Sequence, residues 1–247
     1  MYKKIKIGFI SAATVFMFAG CNPESLNMAA GMNLLSAVST SDDQMRDMAA
    51  QAAKQYDREN RVASKRNKYA KRLNKLTRKL HRVDGMRLNY KVYLKNEINA
   101  FAMADGTVRV YSGLMNKMSD KELLFVIGHE IGHVHHKHSK KAYRTAALAS
   151  AARTGLASAG GKAAALANGK LGALTEKLVN AQFSQSEESE ADAYGLSFLK
   201  KAHVSPRAAI SSLGKLARLG GGNSSSMFSS HPGIAKRIED IRSQIGQ

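Results

Sequence analysis

The chain has 247 residues and a formal net charge of +19 at pH 7, from 38 lysines and arginines against 19 acidic residues. This length is enough for one sizeable core, so we expect one main domain and at most two. The single cysteine excludes an internal disulfide framework. The absence of tryptophan and the abundance of alanine favour a mostly helical protein.

Residues 1–20 have the pattern of a secretory signal peptide. A lysine-rich start precedes an apolar run over residues 8–19, which is too short to span a membrane. The run ends in Ala19-Gly20-Cys21, which resembles a lipobox, so we expect Cys21 to carry a lipid rather than to be a buried free thiol. Asn22 after the cysteine favours the outer membrane. We therefore expect an envelope lipoprotein on the outer membrane that faces the periplasm.

The rest of the chain divides into a tether and a folded domain. Residues 21–40 are small and polar, which predicts a lipidated tether. A helical pattern begins at Ser41, with acidic residues in its first turn. We expect one domain over residues 41–247, with a basic helical part over 41–87 and the core over 88–247.

The segment from Lys54 to Lys95 is strongly basic. Within it, an apolar face at helical spacing predicts an amphipathic helix, and this face consists of Tyr69, Leu73, Leu76 and Leu80. The cations are explained either as a solvated polar face or as a contact with anionic lipid headgroups or acidic envelope polymers. We expect no nucleic-acid partner, because the chain lacks a nucleic-acid motif and an exported lipoprotein rarely meets nucleic acid.

Short strands are predicted next. Leu88–Leu94 alternates apolar and polar residues, as a half-buried strand does. Ile98–Met103 and Thr107–Tyr111 flank Asp105-Gly106, which is a strong hairpin signal. We therefore expect a small antiparallel sheet, whose edge is well placed to pair with an extended peptide.

The sequence His129-Glu130-Ile131-Gly132-His133 follows the HExxH pattern. On a helix, the two histidines lie on one face and can both bind one Zn²⁺. Glu130 can then act as the general base toward a water at the metal. The preceding run is apolar, so the motif enters a core, where unpaired histidine and glutamate would be costly.

Local signals place both ends of this helix. Ser119 and Glu122 form a capping box at its start. His135, His136 and His138 stand among lysines, and we interpret them as a solvated helix end that suits the negative end of the helix dipole.

The downstream sequence is less informative. Tyr143–Gly172 is rich in alanine and glycine, which does not suit a transmembrane span but fits short helices, a mobile lid or a membrane-contacting surface. Leu174–Lys200 predicts a long helix. Ser205-Pro206 and His231-Pro232 each predict the start of a further helix.

A catalytic zinc needs a third protein ligand and an open position. The acidic candidates are Glu187, Glu188 and Glu190, and spacing alone does not decide among them. Glu188 and Asp192 are four residues apart on one helix face, which fits a ligand backed by a second carboxylate.

These motifs together resemble the HtpX/CAAX-prenyl-protease family of gluzincin metallopeptidases. The match combines HExxH with Phe183-Ser184 and Glu188-Ser189-Glu190-Ala191-Asp192, and it spans roughly Tyr90 to Ile241. The resemblance implies an α+β, mainly helical fold, with a zincin-like core and a small sheet next to the HExxH helix. It also implies one Zn²⁺ per chain.

The resemblance also implies roles for individual residues. Glu188 corresponds to the third zinc ligand, and Asp192 to the residue that orients His129 or a substrate-facing group. His231, in the C-terminal His-Pro segment, corresponds to a residue near the zinc that acts as a transition-state stabiliser or an inhibitory fourth ligand. The substrate edge strand corresponds to Asn99, Ala100 and Phe101.

The leading hypothesis is a zinc endopeptidase of the cell envelope that cleaves unfolded or misfolded envelope proteins. The alternative is a client-binding chaperone or scaffold lipoprotein with secondary or no proteolysis. A purely structural zinc site is disfavoured, because such sites usually use cysteine and the chain has only Cys21.

Overall fold

A computed structural model describes residues 39–157, 182–220 and 226–246. The helices are α1 (Asp42–Glu59), α2 (Lys68–Thr77), α3 (Ser112–Lys117), α4 (Asp120–His135), α5 (His138–Ala157), α6 (Gln185–Lys201), α7 (Arg207–Leu219), α8 (Ser226–Ser230) and α9 (Ile234–Gln244). The strands are β1 (Arg82–Val83), β2 (Met86–Arg87), β3 (Asn89–Tyr93), β4 (Ala100–Ala102) and β5 (Thr107–Tyr111). The predicted α+β, mainly helical fold class is confirmed.

Several predicted features lie outside the described residues. They are the signal region, Cys21 with nearly all of the tether, and the alanine-rich segment beyond Ala157. Within the described residues, no helix combines the length and the apolar character that crossing a membrane requires.

The central sheet has three strands in the order β3-β5-β4. The predicted hairpin is confirmed, because Ala100 of β4 pairs with Val110 of β5 in antiparallel register. The expectation of a purely antiparallel sheet is wrong, since Asn89 of β3 pairs with Thr107 of β5 in parallel register. The alternation of apolar and polar residues indicates which face of a strand is buried, but it does not indicate whether the strand pairs in parallel or antiparallel direction. All of β5 is buried, as expected for a central strand covered on both faces.

Helix α1 packs on this sheet and brings one buried charge pair with it. Ser41 caps the helix, and Ala49, Ala52 and Ala53 face an aromatic cluster that includes Phe101 and Tyr111. Asp57 of α1 forms an ion pair with Arg109 of β5. The small alanine side chains therefore let the helix lie close against the strands.

The basic segment is interrupted rather than forming one long helix. Helix α2 buries Leu73 and Thr77, while Lys71 and Lys75 on its outer face are exposed. A short antiparallel hairpin, β1–β2, follows it. The turn Asp84-Gly85 has positive φ at both residues, which is the geometry of a tight two-residue hairpin.

Helix α4 lies at the centre of the core and packs against α6. Its start is the predicted capping box, since the Ser119 N–H donates to Glu122 Oε2 at 2.7 Å. A Cβ atom on Gly128 would lie 2.7 Å from the Phe198 Cβ, and one on Gly132 would lie 2.9 Å from the Tyr194 Cβ. The two helices therefore approach more closely than side chains at these positions would allow.

Two predicted helix starts differ from the structure. The long helix expected from Leu174 is not continuous, because residues 182–184 are not helical and α6 begins at Gln185. Ser184 and Glu187 form a capping box there, which starts the helix. His231-Pro232 precedes α9 instead of opening it, since Gly233 adopts a left-handed conformation and the helix begins at Ile234.

Candidate metal centre

Helices α4 and α6 bring together the two histidines of the HExxH pattern and one glutamate. The Nε2 atoms of His129 and His133 are 3.1 Å apart. Glu188 Oε1 lies 3.4 Å from the His133 Nε2, and Glu188 Oε2 lies 3.6 Å from the His129 Nε2. All three side chains are buried, and Glu188 is 0% exposed. The predicted residues of the HExxH pattern and Glu188 therefore converge at one point.

His231 completes a set of four donors. Its Nδ1 lies 2.9 Å from Glu188 Oε1 and 3.2 Å from the His129 Nε2. One donor atom from each of the four residues lies within 4.8 Å of all the others. His231 therefore sits within the donor set itself and not at a distance from it.

The chemistry of this donor set fits a divalent cation. Neutral imidazole nitrogens and a carboxylate oxygen present lone pairs to one small volume, and lone pairs repel each other unless a cation or protons lie between them. Among the described residues, the buried surroundings of the centre hold the carboxyl groups of Glu130, Glu188 and Asp192 but a single guanidinium, that of Arg237. A divalent cation would balance this excess of acidic groups.

The pKa values of Glu130 and Glu188 are shifted in opposite directions. Burial raises the pKa of Glu130, and the nearby His231 only partly opposes this effect. Burial also disfavours ionisation of Glu188, but the adjacent imidazoles of His133 and His231 outweigh it and hold the pKa of Glu188 well below its ordinary value. Glu188 is thus kept as a carboxylate, the form that binds a metal, whereas Glu130 is closer to holding a proton.

Glu130 is placed to contact a molecule other than the protein. Its side chain is 4% exposed, and its Oε1 has no hydrogen-bond partner among the described residues. This Oε1 lies 3.5 Å from the His231 Nε2. A buried carboxylate oxygen without a partner needs an external donor, such as a water molecule or a substrate amide.

Asp192 and Arg237 support the donor set from behind. Asp192 Oδ1 lies 2.8 Å from the His129 Nδ1. Arg237 donates to both oxygens of Asp192, at 2.6 and 2.7 Å, and its Nη1 lies 2.6 Å from Glu188 Oε2. The sequence motifs did not include Arg237 among the site residues. The resemblance to the family includes Arg237 after the His-Pro segment but assigns it no role, and its burial against Asp192 reveals that role.

His138 is buried, and the prediction of a solvated helix end is wrong at this residue. Helix α4 ends at His135, and Lys137 adopts φ +60°, which reverses the chain so that His138 points back under the helix. The His138 Nδ1 lies 2.9 Å from the His133 Nδ1, and its Nε2 lies 3.0 Å from Glu190 Oε2. The prediction holds for His135 and His136, which remain near the surface.

Phe183 closes one side of the centre. Its ring stacks on the His133 imidazole with centroids 3.8 Å apart and planes inclined by 22°. Its backbone N–H also donates to the Ser230 carbonyl, next to His231. Phe183 therefore joins the segment that leads into α6 to the segment that carries His231.

The predicted substrate strand forms one edge of the sheet. Within the described ranges, β4 pairs with β5 alone. The Met103 N–H donates to the Thr107 carbonyl and the Tyr111 N–H donates to the Asn99 carbonyl, so in the alternating antiparallel pattern the backbone polar groups of Ala100 and Ala102 point away from β5. Asn99, Ala100 and Phe101 are buried and Ala102 is half-buried, so the accessible part of this strand is its end at Ala102.

A buried HExxH helix joined to a glutamate from a second helix defines the site of a gluzincin-type metallopeptidase. Residues 58–245 match peptidase family M48. The chain is 41% identical over 245 residues to metalloprotease LoiP of Escherichia coli (strain K12), which covers 98% of this chain and 97% of that protein. It is 38% identical over 249 residues to metalloprotease YcaL of the same organism, with 98% of each chain covered.

A more distant relative shares only part of its length. The beta-barrel assembly-enhancing protease of Yersinia pestis is 30% identical over 175 residues, which is 66% of this chain and 36% of that protein. The chain belongs to peptidase family M48 and is a metalloendopeptidase, so its substrates are polypeptides. The resemblance inferred from the sequence motifs is confirmed.

Proposed function

We propose that this protein is a zinc-dependent endopeptidase of the cell envelope that hydrolyses peptide bonds of unfolded or misfolded envelope proteins. His129, His133 and Glu188 hold one Zn²⁺ per chain. The observation that carries the proposal is the convergence of these three buried donors, with Glu188 kept ionised. Imidazole nitrogen and carboxylate oxygen form the donor set of catalytic zinc sites, which keep one position for water.

Each remaining residue of the centre has a proposed part in hydrolysis. A bound zinc ion would supply a Lewis acid that polarises the scissile carbonyl and makes a water acidic enough to attack it. Glu130 accepts the proton of the attacking water and passes it to the leaving amine. A raised pKa suits this exchange, because the group must both take up and release a proton near neutral pH. Asp192 fixes the orientation of the His129 ring.

His231 has two proposed positions in the cycle. At rest it occupies the fourth place in the donor set. When substrate displaces it, its imidazole donates a hydrogen bond to the developing oxyanion. The substrate pairs as an added strand along the edge of β4, where Ala102 is half-buried, so recognition depends on an extended conformation more than on sequence. This mode of binding suits unfolded clients.

We also propose that the protein is anchored through lipidated Cys21 to the outer membrane and faces the periplasm. The name of the Yersinia pestis relative associates that protein with beta-barrel assembly. The exposed cations Lys68, Lys71 and Lys75 of α2 are proposed to contact anionic headgroups. Sedimentation of the unlipidated protein with vesicles should show binding that requires anionic lipid and weakens with salt; equal binding to neutral vesicles would contradict the contact of α2 with anionic headgroups.

The activity is tested with Glu130→Gln, which keeps the size of the side chain and removes the base. On a reduced and alkylated, unfolded protein, the variant should lose about 10²–10⁴-fold in kcat while it retains its zinc. Glu239→Gln, at an exposed site on α9, is the matched control and should cleave as the wild type does.

Two results would contradict the proposal. Equal cleavage by wild type and Glu130→Gln would exclude Glu130 as the base, and cleavage that survives complete removal of zinc would exclude the metal. A cellular role that Glu130→Gln fully retains would favour the alternative, a client-binding chaperone or scaffold.

A further inference from the structure

The two imidazoles of the HExxH helix are both supported at the ring nitrogen that faces away from the donor set. Behind His129, the support is direct, because its Nδ1 lies 2.8 Å from Asp192 Oδ1. Behind His133, it passes through a second imidazole. The Nδ1 atoms of His133 and His138 are 2.9 Å apart, and the His138 Nε2 is 3.0 Å from Glu190 Oε2.

The hydrogen-bond chain determines where the protons lie. A carboxylate only accepts hydrogen bonds, so the His138 Nε2 must carry a hydrogen and donate it to Glu190. The other nitrogen of a neutral imidazole is an acceptor, so the His138 Nδ1 accepts from the His133 Nδ1–H. His133 is then left with its lone pair on Nε2, the atom that faces Glu188.

We infer that His138 and Glu190 are positioning residues that fix the tautomer and the ring orientation of His133 for metal binding. This inference rests on the proposed zinc site. His138 is 3% exposed, and both of its ring nitrogens have partners in this chain. Phe183 stacks on the face of the His133 ring and restricts its tilt. A metal-bound histidine whose other nitrogen donates to a partner is held in one tautomer and is a more basic ligand.

Helix α6 therefore serves both ligand histidines. Glu188 joins the donor set, Asp192 supports His129, and Glu190 supports His133 through His138. His136 does not compete with His138 for Glu190, because its Nδ1 is 4.0 Å from Glu190 Oε2, beyond hydrogen-bond distance. The residues of this arrangement all belong to the chain itself, so its effect should appear in metal binding as well as in catalysis.

The test compares His138→Leu with His138→Asn. Leucine fills the space but offers no acceptor, whereas an asparagine Oδ1 can stand near the original Nδ1 and accept from His133. In competition with a chromophoric chelator, His138→Leu should bind Zn²⁺ about 10–100-fold more weakly than wild type, and His138→Asn should stay within about 3-fold. With Co²⁺ in place of zinc, the visible absorption spectrum should change in His138→Leu and be preserved in His138→Asn.

A second variant covers the case in which His138→Leu does not fold. Glu190 has a side chain that is 55% exposed, so Glu190→Ala should fold normally. It should weaken Zn²⁺ binding by about 3–10-fold, while Glu239→Ala, the control at another exposed glutamate, should not.

The outcomes separate this inference from the proposed function. If wild type and a folded His138→Leu bind Zn²⁺ equally, the positioning role is refuted and the zinc site stands. If His138→Asn is as weak as His138→Leu, the acceptor is not what matters, and the inference is again refuted. If wild type itself does not bind Zn²⁺, both the proposed function and the inference fail.

Discussion

Replacing Asp57 with asparagine removes the charge that neutralises a buried arginine in the central sheet. Arg109 is 2% exposed and donates to Asp57 through two nitrogens, each at 2.9 Å. Lys91 and Tyr93 also donate to the same carboxylate, at 2.7 and 2.8 Å. Because Asp57 belongs to α1, these bonds hold that helix on the sheet whose edge is β4.

The size of the effect follows from the pKa of Asp57. Burial opposes its ionisation, but hydrogen bonds from Arg109, Lys91 and Tyr93 prevail and lower the pKa from 3.8 to about 2. That difference corresponds to at most about 2.5 kcal/mol, and solvent contact of the carboxylate reduces it to roughly 1–2 kcal/mol. Since the variant also leaves Arg109 without a counter-charge, we expect a total loss of about 2–3 kcal/mol at pH 7.

The same contribution should depend on pH in a defined direction. The folded state binds the proton less tightly than the unfolded state, so the contribution is complete above the unfolded pKa and is lost as the pH falls through about 2. At pH 3, roughly half of this ionic contribution should remain. The stability gap between wild type and Asp57→Asn should therefore narrow between pH 5 and pH 3.

Urea unfolding followed by circular dichroism at several pH values measures this gap. Asp47→Asn, at an exposed aspartate on the same helix, is the control and should leave the free energy of unfolding within about 0.5 kcal/mol of wild type. The reasoning is refuted if Asp57→Asn unfolds at the wild-type urea concentration at pH 7, or if the gap is the same at every pH.

Two further substitutions test the core and the centre. Gly128→Ala should lower the free energy of unfolding by about 1–3 kcal/mol, because its Cβ would lie 2.7 Å from the Phe198 Cβ; thermal unfolding should show this loss, and unchanged stability would contradict the close packing. Gly214→Ala is its control, since the nearest atom there is 3.7 Å away. His231→Ala should keep its zinc and lose about 10²–10³-fold in kcat, and steady-state kinetics showing an equal or higher rate would contradict the oxyanion role.

Features with strong local signals could be predicted from the sequence. The capping box at Ser119 and Glu122 fixed the start of the HExxH helix, and Asp105-Gly106 fixed the hairpin. Each signal involves residues a few positions apart, whose physics does not depend on the rest of the fold. The parallel pairing of β3 with β5 has no such signal, because it depends on the path of the chain between distant residues.

Of the three candidate glutamates for the third ligand, one could be excluded from local sequence and one only from the fold. Glu187 accepts from the Ser184 N–H at 2.8 Å, and this capping box could have been read from the sequence as a reason to exclude it. Glu190 points to His138 instead, which only the fold reveals. The sharp turn at Lys137 buries His138, and the run of basic residues around it gave the opposite expectation.

The close contact of α4 and α6 at Gly128 has a consequence for how the enzyme opens. The ligand atoms on these two helices cannot move apart without repacking of the core. The two helices therefore hold His129, His133 and Glu188 in a preformed geometry for the cation. His231 is the member of the donor set that neither helix carries, and it precedes Gly233, whose φ is +77°. The displacement of His231 that we propose for substrate binding therefore involves this short stretch rather than α4 or α6.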